Sequence, residues 1–168
     1  MHTVLTCCLE RVEAEGTRQM LDLILAILHH LAVFTLVGVF AAEFALLRPG
    51  IEGRRLAQLG SVDAAYGAAA GTVIIVGIIR VIFGAAGWEY YAVNWVFWAK
   101  MLAFVAMGIA SVPGTIAIAK WRKSSKAETG FVPPAGEVAI AQRFLWLQVA
   151  IFAFIPSFAA AMARGYGV

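Results

Sequence analysis

"LILAILHHLAVFTLVGVFAAEFALLRP" occupies residues 23–49, and its reading decides the fold. Up to Leu47 it is almost entirely apolar, and about 20 such residues suffice for a helix to cross a bilayer. It lacks the apolar–polar alternation of a membrane β-strand. Yet it carries His29, His30 and Glu43. Ionisable groups are expensive in hydrocarbon and mark function when they occur there.

Three further segments have the same character, so the predicted spans are roughly Met20–Leu47, Leu59–Phe83, Asn94–Ala119 and Val138–Ala163. The 168-residue chain is 62% hydrophobic and 14% charged. A soluble domain is nearer 45–50% apolar and about 25% charged. Backbone polar groups in lipid must pair within their own segment, which makes helices the default. The expected fold is all-α: a four-helix transmembrane bundle in a single domain, 20–168, after a flexible N-terminal arm, 1–19.

That arm, "MHTVLTCCLERVEAEGTRQ", does not read as a signal peptide, because its charges follow its short apolar run. Met20 is a candidate native start. Cys7 and Cys8 are adjacent and match no CxxC spacing, so they read as an incidental pair. "KWRKSSKAETGFVPPAGE", residues 120–137, reads as a polar linker bearing Pro and Gly.

The formal charge is +3, and its placement matters more than its sum. Arg48, Arg54 and Arg55 follow the first span; Lys120, Arg122, Lys123 and Lys126 follow the third. The positive-inside rule puts both loops in the cytoplasm and both termini on the outer, periplasmic side. Trp88, Tyr90, Tyr91, Trp95 and Trp98 suit an aromatic belt at the outer interface. The basic loop suits anionic lipid heads, and no nucleic-acid-binding motif is present. The lipid bilayer is the expected partner, with a homo-oligomer or a larger membrane complex as further candidates. The expected location is the bacterial inner membrane.

Topology sorts the ionisable residues of the spans into two layers. His29, His30, Arg80 and Lys100 lie in the outer half. Glu43, Asp63 and Arg143 lie near the cytoplasmic ends, where Arg143 between two carboxylates predicts an ion-pair network, with a proton relay as the alternative role. Residues step by about 100° on a helix. Asp22, His29, Leu36 and Glu43 recur every seven residues and form one stripe, the seam of a packed bundle. His30 points about 100° away, toward a helix boundary. On the second span, Gly67 and Gly71 form a GxxxG pair that permits close helix contact. Pro113 and Pro156 stand inside spans and kink them or free a carbonyl.

A bare zinc site needs three or four ligands, which these spans supply poorly. Haem needs one axial nitrogen. His29 supplies an imidazole; Phe34, Phe97, Trp98 and Phe104 are candidate walls; Arg80 is a candidate partner for a propionate, and Lys100 for a propionate or, if burial keeps its amine neutral, for the iron. No CxxCH occurs, which excludes covalent c-type attachment and leaves b-type haem.

"LHHL", "VDAAYG", "RVIFGAAGWEYY", "NWVFWAKM" and "IPSFAAAMARG" make the stretch from Met20 onward similar to a family of small predicted bacterial membrane proteins of unknown function. More distantly, the pattern resembles HemJ-type protoporphyrinogen oxidases and CopD-like membrane domains. In the HemJ type, a first-helix His and a third-helix Lys are linked to haem. "ILHHL" puts His29 on that His, and "VFWAKM" puts Lys100 on that Lys. The resemblance implies a haem b or porphyrin protein acting in electron transfer or porphyrin oxidation, with His29 as axial iron ligand. The contrasting expectation is a cofactor-free accessory subunit of a larger membrane complex.

Overall fold

The computed structural model describes the backbone of residues 2–167 and the side chains of residues 13 and 15–167. Cys7 and Cys8 fall outside the described side chains. The helices are α1 (His2–Leu46), α2 (Gly53–Phe83), α3 (Gly87–Val93), α4 (Trp95–Ala127), α5 (Ala135–Phe152) and α6 (Phe154–Ala163). Glu15–Leu46, Gly53–Phe83, Trp95–Ala127 and Ala135–Ala163 are long and apolar enough to cross a membrane. The all-α four-span expectation holds. α1 runs unbroken from His2, so the stretch expected as an arm continues the first helix.

Two differences from the expected boundaries have clear causes. α4 does not stop at Ala119 but runs through the basic stretch to Ala127. Lys and Arg are good helix formers, and Trp121, fully buried, donates its indole N–H to Glu137 Oε2 at 2.7 Å. Lys120 pairs with Glu137 Oε1 at 2.9 Å. The connecting turn is therefore short, with Gly130 in the left-handed region at φ 80°. The fourth span is broken between Phe152 and Phe154, four residues or fewer before Pro156. A proline ring clashes with the carbonyl four residues earlier and offers no N–H to it. α4 passes Pro113 without a break.

α1 and α2 form an antiparallel hairpin, and α4 packs on α5 and α6. α2 joins the halves by a sparser contact with α4. Two ends result. At one, the α1–α2 turn tucks in Leu47 and Ile51, and Gln142 Nε2 of α5 donates to the Leu47 carbonyl at 2.9 Å. At the other, buried Asn94 caps α4, its Oδ1 accepting from Val96 N (2.9 Å) and Phe97 N (3.2 Å). Asn94 Nδ2 also donates to the Tyr166 carbonyl at 3.3 Å, and Trp95 N donates to the Gly167 carbonyl at 3.3 Å, which clasps the C-terminal tail.

The interior holds Leu36, Phe40, Tyr66, Val73, Met107, Trp121 and Leu145, with Phe40 and Tyr66 rings 5.8 Å apart. The surface is equally apolar: Leu31, Phe34, Ile75, Leu102, Ile109 and Ile116 are exposed. A soluble monomer rarely shows such a continuous apolar exterior. Such an exterior suits lipid as its surroundings.

Candidate functional site

At the Asn94 end, three spans bring their basic residues together. His29 of α1 is half-buried, with Lys100 of α4 and Arg80 of α2 within electrostatic reach. Lys100 and Arg80 are within electrostatic reach of each other. Helical phase explains the meeting. Leu36 and Glu43, seven and fourteen residues after His29, are both buried, so the stripe does face inward. Gly77 of α2 lies beside the imidazole: a Cβ there would stand 3.5 Å from His29 Cε1, in ordinary contact.

The cluster is short of hydrogen-bond partners. His29 Nδ1 and Arg80 Nε are buried with none among the described residues. Such groups are rare and call for an explanation. Lys100 Nζ lies 5.6 Å from the centre of the Phe97 ring, a cation–π contact. Above the cluster, Asp22 Oδ1 accepts from Ala85 N at 3.2 Å and fixes the turn after α2. Burial pushes the Tyr91 hydroxyl above its usual range; nearby Arg80 opposes that rise, and Asp22 and Tyr90 reinforce it.

His30 behaves differently from its neighbour. It is exposed, and its Nδ1 lies 2.6 Å from the Ala26 carbonyl oxygen, which accepts the ring N–H. Its phase leads to an expected helix–helix boundary, but the ring is exposed and bonded along its own helix.

The expected aromatic walls are only partly present. Phe97 lies beside Lys100. Phe104 instead lines a groove between α2 and α4. Phe34 (69% exposed) and Trp98 (58% exposed) point outward. Trp98 Nε1 donates to the Ala92 carbonyl of α3 at 3.0 Å, and that bond draws the indole out of the cluster.

The inner layer departs from expectation more sharply. Arg143 pairs with neither Glu43 nor Asp63; it is exposed on α5. The buried face of α5 is Val138, Ala141, Leu145 and Gln148. Arg143 is two residues from both Ala141 and Leu145, about 200° around the helix from each. Glu43 and Tyr66 are buried, with Asp63 within electrostatic reach of both. Asp63 Oδ1 accepts from Thr115 Oγ1 at 2.7 Å, and Tyr66 donates its hydroxyl to Gln148 Oε1 at 3.2 Å.

Thr115 and Gln148 did not stand out in the sequence reading. An amide within the apolar run "RFLWLQVAIF" was the available signal for Gln148. Gly67 and Gly71 do not serve close packing within the chain, since a Cβ at either would meet nothing within 4 Å. Gly60 is the tight spot: Arg122 lies across it and donates from Nη1 to its carbonyl at 3.4 Å. Among the described residues, no group of three or more His, Cys, Asp or Glu side chains could hold a metal ion.

A family model described as Predicted membrane protein (DUF2214) matches residues 21–167. No curated protein matches the chain, and no solved structure does.

Proposed function

We propose that the chain, which belongs to the DUF2214 family of predicted membrane proteins, binds b-type haem or a related porphyrin within the membrane. It would act in electron transfer or porphyrin oxidation in the bacterial inner membrane, with the basic Lys120–Lys126 end facing the cytoplasm. The observation that carries the reading is the buried, unpartnered His29 Nδ1 beside two cations. An imidazole with no hydrogen-bond partner is available as a ligand, and haem iron requires only one such axial nitrogen.

The donor set at the cluster, one imidazole and two cations, is what supports this reading. His29 would hold the iron. Arg80 and Lys100 would receive the two propionates, and charge-assisted bonds of this kind are the stronger class. Phe97 lies beside Lys100 and offers an apolar wall. Bound haem would supply one-electron chemistry, tuned by its axial ligand and by the polarity around it. The chain's own part is to orient the carboxylates, fix the imidazole against Gly77, and exclude water with the aliphatic exterior.

A titration tests this. Protein purified from membranes and mixed with haem should develop a sharp Soret band that saturates at a fixed ratio of haem to protein. A signal that grows without saturation, as for haem partitioning into detergent, would overturn the reading. The accessory-subunit reading would then stand. It is favoured by Arg143, a cation exposed on a spanning helix with no carboxylate partner among the described residues.

A further inference from the structure

Arg143 stands on the outward face of α5, opposite the buried row Val138, Ala141, Leu145 and Gln148. Ile140, Trp146 and Leu147 flank it and are exposed. Arg143 makes no ion pair among the described residues. Charged side chains within spanning segments are costly and usually face protein or a water-filled cavity rather than lipid.

The contact between α2 and α4 is sparse, and a groove of about 390 Å3 runs along it. Asp63, Gly67, Phe104, Gly108 and Thr115 are among its lining residues. Gly67 and Gly108 leave it open, because a Cβ at either would meet nothing within 4 Å. Small residues of this kind let a further helix come close. Thr115 Oγ1 donates to Asp63 Oδ1 at 2.7 Å, and Asp63 makes no ion pair among the described residues.

The two charges lie at one depth. Lys120 of α4 and Glu137 of α5 pair at 2.9 Å and mark a common level at the basic end. Thr115, which holds Asp63, precedes Lys120 on α4, and Arg143 follows Glu137 on α5. By the rise of 1.5 Å per residue these positions are about 7.5 and about 9 Å from that level, in the same direction. Copies inserted with one orientation are related by an axis normal to the bilayer, which preserves depth. Arg143 of one copy and Asp63 of another can therefore meet without either helix sliding.

We propose that the α2–α4 groove is a docking site for the outer face of α5 from a second copy of this chain, with Arg143 of that copy paired to Asp63. A guanidinium presents a planar fork that matches a carboxylate. The groove and the α5 face are different surfaces, so the contact is heterologous, of the kind that builds rings. A second copy is favoured over a foreign subunit because this one chain carries both charges, each without an ionic partner among its described residues, at matching depth. The pairing belongs to the bilayer: in a detergent micelle holding one copy, Arg143 has no partner to lose. The site lies toward the basic end, away from His29, and does not rest on the haem reading.

Disulfide trapping of the full-length protein in lipid vesicles tests the proposal. Two differently tagged forms, both carrying Cys7→Ser and Cys8→Ser, are purified and reconstituted together. One has Gly67→Cys in the groove, one turn beyond Asp63; the other has Leu147→Cys, one turn beyond Arg143. Mild oxidation should give a mixed dimer bearing both tags. Asp63→Arg in the first form, or Arg143→Asp in the second, should cut its yield several-fold, and the two together should restore it. Arg143→Ala in the second form, at an exposed position, should also lower the yield, so the test survives if an Asp63 variant fails to fold. Absence of the mixed dimer overturns the proposal and leaves Arg143 reaching back to the interface along its own helix. A mixed dimer indifferent to the single variants, or not restored by the exchange, overturns the pairing as well.

Discussion

His29 and His30 are neighbours in the chain and opposites in their bonding. The His30 ring donates to the Ala26 carbonyl one turn back at 2.6 Å, whereas His29 Nδ1 is buried with no partner among the described residues. One residue of helical phase separates them. It turns His30 along its own helix and His29 toward Arg80 and Lys100.

Arg143→Ala should be nearly silent. The side chain is exposed and makes no ion pair among the described residues, and substitutions at such positions usually stay within about 0.5 kcal/mol. Thermal unfolding in detergent checks this. A drop of several degrees would mean that Arg143 has a partner in the membrane that the isolated chain does not supply.

Asn94→Ala should be costly. The side chain caps α4 and also holds the Tyr166 carbonyl of the tail. Loss of a cap costs on the order of 1 kcal/mol, and the released tail adds to that. Limited proteolysis should then cut after Ala163 faster than in the parent. Equal rates would show that the clasp contributes nothing.

The four spans were legible in the sequence because hydropathy over ~20 residues is a strong signal. The stripe from Asp22 to Glu43 was legible too, since polar residues at heptad spacing mark an interior seam in an otherwise apolar helix. The orientation of α5 was not. Its lipid-facing and core-facing residues are equally apolar, so periodicity could not tell which way Arg143 points. Partners of Asp63 and Tyr66 depended on that same missing phase. Of the two places the sequence suggests for Trp98, belt or cluster wall, its exposure and its bond to the Ala92 carbonyl of α3 suit the belt, and the short helix α3 carries no sequence signal that reveals that bond.

Alkaline pH should loosen the Asn94 end. Burial raises the Tyr91 hydroxyl in the folded state, so the neutral phenol is favoured there. The stability it contributes is complete below the unfolded-state value and is lost as pH rises through the folded one. The melting temperature should fall on going from neutral to strongly alkaline pH, and fall less in Tyr91→Phe. Identical profiles would remove Tyr91 from the account.

Topology is tested by reporter fusions after Val168 and at Ser125. A periplasmic signal from the first and a cytoplasmic signal from the second are expected from the basic residues at the α1–α2 and α4–α5 turns. The reverse pair would place the His29 cluster in the cytoplasmic half.

The most direct measurement is haem bound per protein in His29→Ala, His30→Ala and the parent, each purified from membranes supplied with haem and read at the Soret band. The account predicts a strong loss in His29→Ala and near-parental absorbance in His30→Ala. Haem retained in His29→Ala and lost in His30→Ala, or no saturable haem in the parent, would contradict it.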